Sequence, residues 1–310
     1  MTTPRVAILL STYNGEKYLT PLLASLMAQS YQNFIIVVRD DGSSDGTIEL
    51  LKNFSSSQSG NIHLVDSPAE NLGASASFAN LMSYVLENKN TLGLAKATMA
   101  FADQDDIWHS NKLEKCLVAL EQHQQQHGEI PVLIHSDLRV VADDGELVNQ
   151  SFASFQGLQP NRNSFPELVL SNLVTGCTAL INEPLARLAL PINQQSIMHD
   201  WWLCLVASAF GEVYYLQESL IDYRQHEKNT IGAKEFKEAN WSWLRRKLWV
   251  LRKLLRTAPN VHLHDVAKQA KGFKESYQST LSEQQIFVLN LAAKLSSKNI
   301  MVQRLVCRKL

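Results

Sequence analysis

The chain is poor in cysteine and arranges none of it as a framework. Cys116, Cys177, Cys204 and Cys307 are scattered over 310 residues, and no C-x-x-C pair occurs. That argues against a disulfide scaffold or a zinc site and fits a reducing cytoplasm. No run of about 18 apolar residues is present, so no membrane-spanning helix is expected. No leader is read at the N-terminus, where Met1-Thr-Thr-Pro-Arg5 runs straight into a strand-like segment. Internal repeats are absent, and the low-complexity stretches are Ser55–Ser59, which reads as a loop, and a Gln/His-rich helix end at 122–127. Net charge is nearly absent too, at −1, but this hides a split. Residues 1–233 carry 13 Lys/Arg against 25 Asp/Glu, and residues 234–310 carry 16 against 5. Two bodies with different jobs are expected, a domain over 1–233 and a basic helical extension over 234–310.

What is there is an ordinary globular composition, 45% apolar, and an alternating rhythm. Val6–Leu10, Phe34–Val38, Ile62–Val65, Ala97–Phe101 and Val132–Ile134 read as short buried strands. Helical spacing fills the intervals at about 16–29, after Asp45, at 75–86 and at 111–126, with Asp45 placed to cap the second helix. Strands alternating with helices predict βαβ units and a mostly parallel sheet flanked by helices. Three strand ends then share one edge and carry Ser11–Gly15, Arg39–Asp45 and Asp103–Asp106. In open α/β sheets that edge binds ligands.

After residue 135 the rhythm breaks. Asp143-Asp-Gly145 reads as a hairpin turn, and the polar stretch 150–165 as a long mobile loop. Thr178–Ile181, Val213–Leu216 and Leu220–Tyr223 read as strands, and His199–Phe210 as an apolar helix. A polar segment follows from Tyr223 to Gly232. Residues 241–256 read as a basic amphipathic helix whose apolar positions alternate with Lys and Arg. Such a helix suits a membrane surface, a packing face or an oligomer interface. Nucleic acid is not expected as a partner, because residues 1–233 are acidic and no reader motif occurs.

Phe101-Ala-Asp-Gln-Asp-Asp-Ile-Trp108 packs three carboxylates behind an apolar strand. Crowded carboxylates call for a cation, and oxygen ligands suit Mg²⁺ or Mn²⁺. The same residues would also serve as an acidic turn opening the next helix, with Asp106 as its cap.

The full set of motifs resembles the family-2 glycosyltransferases, inverting enzymes of the GT-A fold that use nucleotide-diphosphate sugars. The residues that carry the resemblance are Ser-Thr-Tyr-Asn at 11–14, Asp-Asp-Gly-Ser-Ser-Asp at 40–45, Asp-Gln-Asp-Asp at 103–106, His-Asp-Trp-Trp at 199–202 and Tyr-Arg-Gln-His at 223–226. It spans about residues 5–230 and is similar to the rhamnosyltransferase-like branch, which uses dTDP-rhamnose to build cell-surface polysaccharide. The resemblance implies a nucleotide-binding half over about 1–106 and an acceptor half over about 107–233. It implies that Asp41 accepts the imide N–H of a pyrimidine, with Thr12, Tyr13, Asn14 and Asp103 around the nucleoside. Asp105, Asp103 and His226 would hold Mg²⁺ or Mn²⁺, and Arg224 would face the diphosphate. Asp200 would be the general base, or else cap its helix. Gly176, Trp201 and Trp202 would line the acceptor side, with only one tryptophan easily able to face the cleft. The partners implied are a nucleotide-sugar donor and a saccharide or lipid-linked acceptor. The place implied is the cytoplasm or the inner face of the cell membrane. A nucleotidyltransferase would need a Gly-rich basic loop after the first strand, which Ser11–Gly15 lacks. A non-catalytic nucleotide-sugar-binding subunit is the remaining alternative.

Overall fold

A computed structural model of the chain describes residues 4–58, 60–66, 70–226, 261–297, 299, 302–303 and 305–306. The expected basic helix at 241–256 and the boundary near 233 lie outside the described residues.

Strands β1 (Val6–Thr12), β2 (Phe34–Asp40), β3 (Ile62–Leu64) and β4 (Thr98–Asp103) are parallel, in the spatial order β3-β2-β1-β4. Helices α1 (Glu16–Met27), α2 (Thr47–Ser57) and α3 (Ala74–Asn88) connect them. β1 is apolar at consecutive positions because both its faces are covered. Ala7 and Leu9 join a core with α3, while Val6, Ile8 and Leu10 join a second core with α1. Register aligns Thr12 with Asp40 and Ser11 with Asp103, so all three loops leave the sheet at one level.

Beyond β4 the sheet becomes mixed. β8 (Leu180–Ile181) is antiparallel to β4 and to β6 (Val132–Val141), and β6 is parallel to β9 (Glu212–Arg224). Two reversals restore direction, so β6 and β9 run with β4. Arg224, opposite Val141, therefore ends at the same edge as Asp103. β5 (Ile107–Trp108) pairs antiparallel with β9, and β7 (Leu147–Asn149) pairs with β6.

Three local expectations are corrected. The polar stretch 150–165 is not one loop. Ser151 caps α5 (Phe152–Gln156) by accepting the Ser154 N–H, and Ser164 with Glu167 forms a capping box for α6 (Phe165–Leu170). The two strands expected at 213–223 are one, β9, with irregular register against Ser136–Arg139. Asp106 caps no helix, because β5 intervenes and α4 (Lys112–His127) begins six residues later. Asp45 sits one residue before the N-cap of α2 but still accepts the Thr47 N–H at 3.1 Å.

The helix read at 199–210 is present as α8 (His199–Phe210), preceded by α7 (Glu183–Ala189). The C-terminal residues fold onto this side as α9 (Val261–Tyr277) and α10 (Glu283–Ala292). Phe273 and Tyr277 pack on Trp202, with ring centroids 5.2 and 6.0 Å apart, and share its core.

Candidate active site

The loops after β1 and β2 are tied to each other before they meet any ligand. Asn14, in the left-handed region at φ 49°, accepts the Ser44 N–H on its Oδ1 at 2.8 Å. Asp40 accepts the N–H groups of Gly42 and Ser43 and the hydroxyls of Ser43 and Thr12. It is thus a loop organiser, and its partner Thr12 is buried. This corrects the expectation for Thr12: its hydroxyl points back to Asp40 rather than to a nucleoside.

Asp41 does line the cleft, a space of about 670 Å³ at the sheet edge. Its carboxylate accepts the N–H groups of Leu72 and Gly73 at 2.9 and 2.8 Å and pairs with Arg39. Arg39 also reaches the Glu70 carbonyl at 3.0 Å. The pair therefore fixes the loop leading into α3. A carboxylate offers about four acceptor sites, so Asp41 retains room for one more donor. Tyr13 and Asn14 line the same cleft.

β4 delivers the acids, and each then takes a different direction. The Gln104 amide donates to the Tyr13 carbonyl at 3.0 Å and accepts the Tyr13 N–H at 2.9 Å. A Cβ on Gly15 would stand 2.3 Å from Gln104 Oε1, so the clamp requires glycine there. Asp103 and Asp105 line the cleft. Burial, then the charges of Asp105 and Asp200, push the Asp103 carboxyl up to about 7. Asp106 turns inward and is buried. Burial first, then Asp105 and Asp103, push its pKa well up, and buried Cys177 is its neighbour.

The end of β9 closes over Asp105. His226 Nε2 lies 2.9 Å from Asp105 Oδ2, and the Tyr18 ring stacks on the imidazole at 4.6 Å. Tyr18 in turn donates to Asp143 at 2.7 Å. Arg224 props this assembly, donating to the carbonyls of Asp143 and Asp105 at 2.6 and 3.3 Å. It is not among the residues lining the cleft. Asp103, Asp105 and His226 all line the cleft, with His226 against Asp105. The like-charge crowding that raises Asp103 is what a divalent cation would relieve, so the donors fit Mg²⁺ or Mn²⁺.

Asp200 is the second residue of α8; the N-cap is Met198. Its Oδ1 accepts the Trp201 N–H at 2.6 Å and the Asn172 amide at 3.2 Å. Burial lifts its pKa to about 6, against the pull of those donors and the Gly176 N–H. Gly176 is a close neighbour: a Cβ there would stand 3.1 Å from His199 and 3.5 Å from Asp200. His199 stacks on Phe78 at 4.4 Å, and burial pushes its pKa down to about 3, so the ring is neutral.

Trp201 and Trp202 do not serve the cleft, which corrects their expected role. The Trp201 indole donates to the Leu168 carbonyl at 2.7 Å and that of Trp202 to Ala189 at 3.0 Å. Both rings are buried, and the aromatic wall is Phe78 with His199 instead. Sequence reasoning gave no role to Tyr18, Arg39, Phe78 or Asn172. Gln104 lay inside a recognised motif, but Tyr18 and Phe78 look like core positions of amphipathic helices.

Residues 7–131 match the family described as glycosyl transferase family 2. The dTDP-rhamnosyl transferase RfbG of Shigella flexneri is 26% identical over 228 residues, 72% of this chain and 74% of that one. The UDP-Glc:alpha-D-GlcNAc-diphosphoundecaprenol beta-1,3-glucosyltransferase WfgD of Escherichia coli is 24% identical, covering 77% of this chain and 83% of its own length. Among solved structures, S. aureus TarS 1-349 in complex with UDP-GlcNAc aligns with a TM-score of 0.55 and 15% identity, over 98% of this chain and 91% of that chain.

Proposed function

We propose that this chain, whose residues 7–131 match glycosyl transferase family 2, takes a sugar from a nucleotide-sugar and moves it by single displacement, with Asp200 as the base. The observation that carries this reading is the convergence of Asp41, Asp103, Asp105, His226 and Asp200 on one cleft. Asp41 accepts the imide N–H of a pyrimidine, with Tyr13 and Asn14 beside it. Asp105, Asp103 and His226 would hold Mg²⁺ or Mn²⁺, which would neutralise charge on the diphosphate. The acceptor hydroxyl gives its proton to the Asp200 carboxylate while its oxygen attacks the anomeric carbon. The bond to the diphosphate breaks, the nucleoside diphosphate leaves with the electron pair, and the anomeric centre inverts. Gly176 leaves space on the acceptor side of Asp200, and neutral His199 on Phe78 supplies an apolar sugar-facing wall.

The donor we favour is dTDP-rhamnose and the acceptor a lipid-linked saccharide of a cell-surface polysaccharide. Support comes from likeness to a dTDP-rhamnosyl transferase and to an enzyme acting on a diphosphoundecaprenol acceptor. Such an acceptor places the reaction at the cytoplasmic face of the membrane, where the segment 241–256 would meet anionic lipid. No described helix is long and apolar enough to cross a membrane.

The test is a screen of dTDP-rhamnose, UDP-glucose and UDP-GlcNAc with Mn²⁺, read as nucleoside diphosphate release with acceptor. Transfer from one donor, lowered at least about 100-fold in Asp105→Asn, is expected. Binding of a donor with neither transfer nor hydrolysis would instead favour a non-catalytic subunit.

A further inference from the structure

The opposite edge of the sheet carries a second cluster of metal-ligating groups. His123 and His127 are four residues apart on α4, one turn, and so face the same way. Glu212 opens β9 beside them. His123 Nδ1 lies 2.7 Å from Glu212 Oε2, and His127 Nε2 lies 3.8 Å from Oε1. Each carboxylate oxygen thus meets one ring nitrogen, and the donor atoms of all three residues lie within 4.8 Å of one another.

The backbone fixes this meeting. The Glu212 N–H donates to the Pro131 carbonyl at 2.9 Å. A Cβ at residue 211 would stand 1.8 Å from that same oxygen, so only glycine lets the strand start so close to the end of α4. The Tyr214 ring meets His123 edge-on at 4.4 Å and shelters one side. Despite its proximity to the carboxylate, His123 Nδ1 makes no hydrogen bond among the described residues. The oxygen is near but lies off the direction in which a ring N–H would point.

We propose that His123, His127 and Glu212 bind a borderline divalent cation of the Zn²⁺ class, tying the end of α4 to the start of β9. Two imidazoles and one carboxylate suit Zn²⁺ rather than Mg²⁺, and a water would complete the tetrahedron; this site uses no cysteine, so the scattered cysteines that argued against zinc do not bear on it. With ligand bonds of about 2.1 Å, tetrahedral donors sit about 3.4 Å apart. The half-exposed His127 and Glu212 side chains can close that distance by rotating. The site is separate from the cleft: β9 runs thirteen residues from Glu212 to Arg224, roughly 40 Å of extended chain.

The experiment is a calorimetric Zn²⁺ titration of chelator-stripped protein in excess Mg²⁺. It is run on the wild type, on Asp105→Asn to disable the cleft, on His127→Ala and on Glu212→Gln. One Zn²⁺ should bind to the wild type and to Asp105→Asn. His127→Ala should bind it about tenfold or more weakly, while transfer with Mg²⁺ stays at the wild-type rate. Zn²⁺ should raise the melting temperature of the wild type and not that of His127→Ala. Should His127→Ala fail to fold, Glu212→Gln, which keeps the side-chain shape, must show the same loss. Equal Zn²⁺ affinity in the folded ligand variants, or no Zn²⁺ bound by Asp105→Asn, overturns the proposal. In that case the cluster is a histidine–carboxylate ion pair alone.

Discussion

Asp200 is suited to take a proton because burial makes its charged form costly while the Trp201 N–H and Asn172 keep that form available. A base must be ionised to work, so protonation switches it off. With the pKa at about 6, kcat/KM at saturating divalent cation, which keeps Asp103 ionised, should be flat above pH 7 and fall toward tenfold per unit below 6. A pH profile of transfer measures this, and a flat line down to pH 5 would remove Asp200 as the base. At this scale the sequence was legible where chemistry is written into the residue type. Asp103, Asp105, Asp200 and His226 all line one cleft, and the roles assigned to them are proposals. It misled where a side chain's direction matters. Thr12 turns to Asp40, and both tryptophans turn to backbone carbonyls. On a helix apolar on every face, nothing in the sequence says which turn is buried by a neighbour.

Between elements, the site depends on carboxylates that pin loops and helix ends. Asp41 does this inside the cleft, and Glu183 does it behind it. Glu183 at the start of α7 accepts the Ala97 N–H at 2.9 Å and pairs with Lys89 and Arg187, joining α7 to the end of α3 and the start of β4. Its carboxyl is held down at about 2 by these donors against the cost of burial. A carboxylate depressed in the folded state stabilises above its ordinary pKa of about 4.5 and loses that contribution as pH falls through about 2. Glu183→Gln should therefore cost about 1–3 kcal/mol at pH 7. Urea midpoints should show the gap narrowing from pH 4.5 downward. The βαβ half was readable because its strands are continuous apolar runs with both faces covered. The later strands were not. β9 is half-buried or exposed over its first half, buried only toward its end, and pairs irregularly with β6, so it looked like two strands, and Ser151 and Ser164 of the stretch 150–165 proved to be caps.

Over the whole molecule, the change in charge near residue 234 suggested two separate bodies, yet the described C-terminal helices share the main core. Phe273 is fully buried against Trp202, Phe165 and Tyr277. That contact joins segments about seventy residues apart, which local periodicity does not reveal. Phe273→Ala should cost about 3–5 kcal/mol in a single cooperative transition monitored by denaturant. Independent melting of residues 261–292 with the rest unaffected would argue for a detachable extension. The same packing supports α8 from behind, so a large loss there should lower transfer as well.

The most direct measurement is the rate of sugar transfer by Asp200→Asn at saturating donor, with donor affinity measured on the same sample. Asparagine keeps the shape and the Trp201 contact but cannot accept the acceptor's proton. The predicted result is a rate at least about 100-fold below wild type, with nucleotide-sugar affinity unchanged. Transfer at the wild-type rate by a folded Asp200→Asn protein would contradict the assignment of the base, and with it the mechanism built on this cleft.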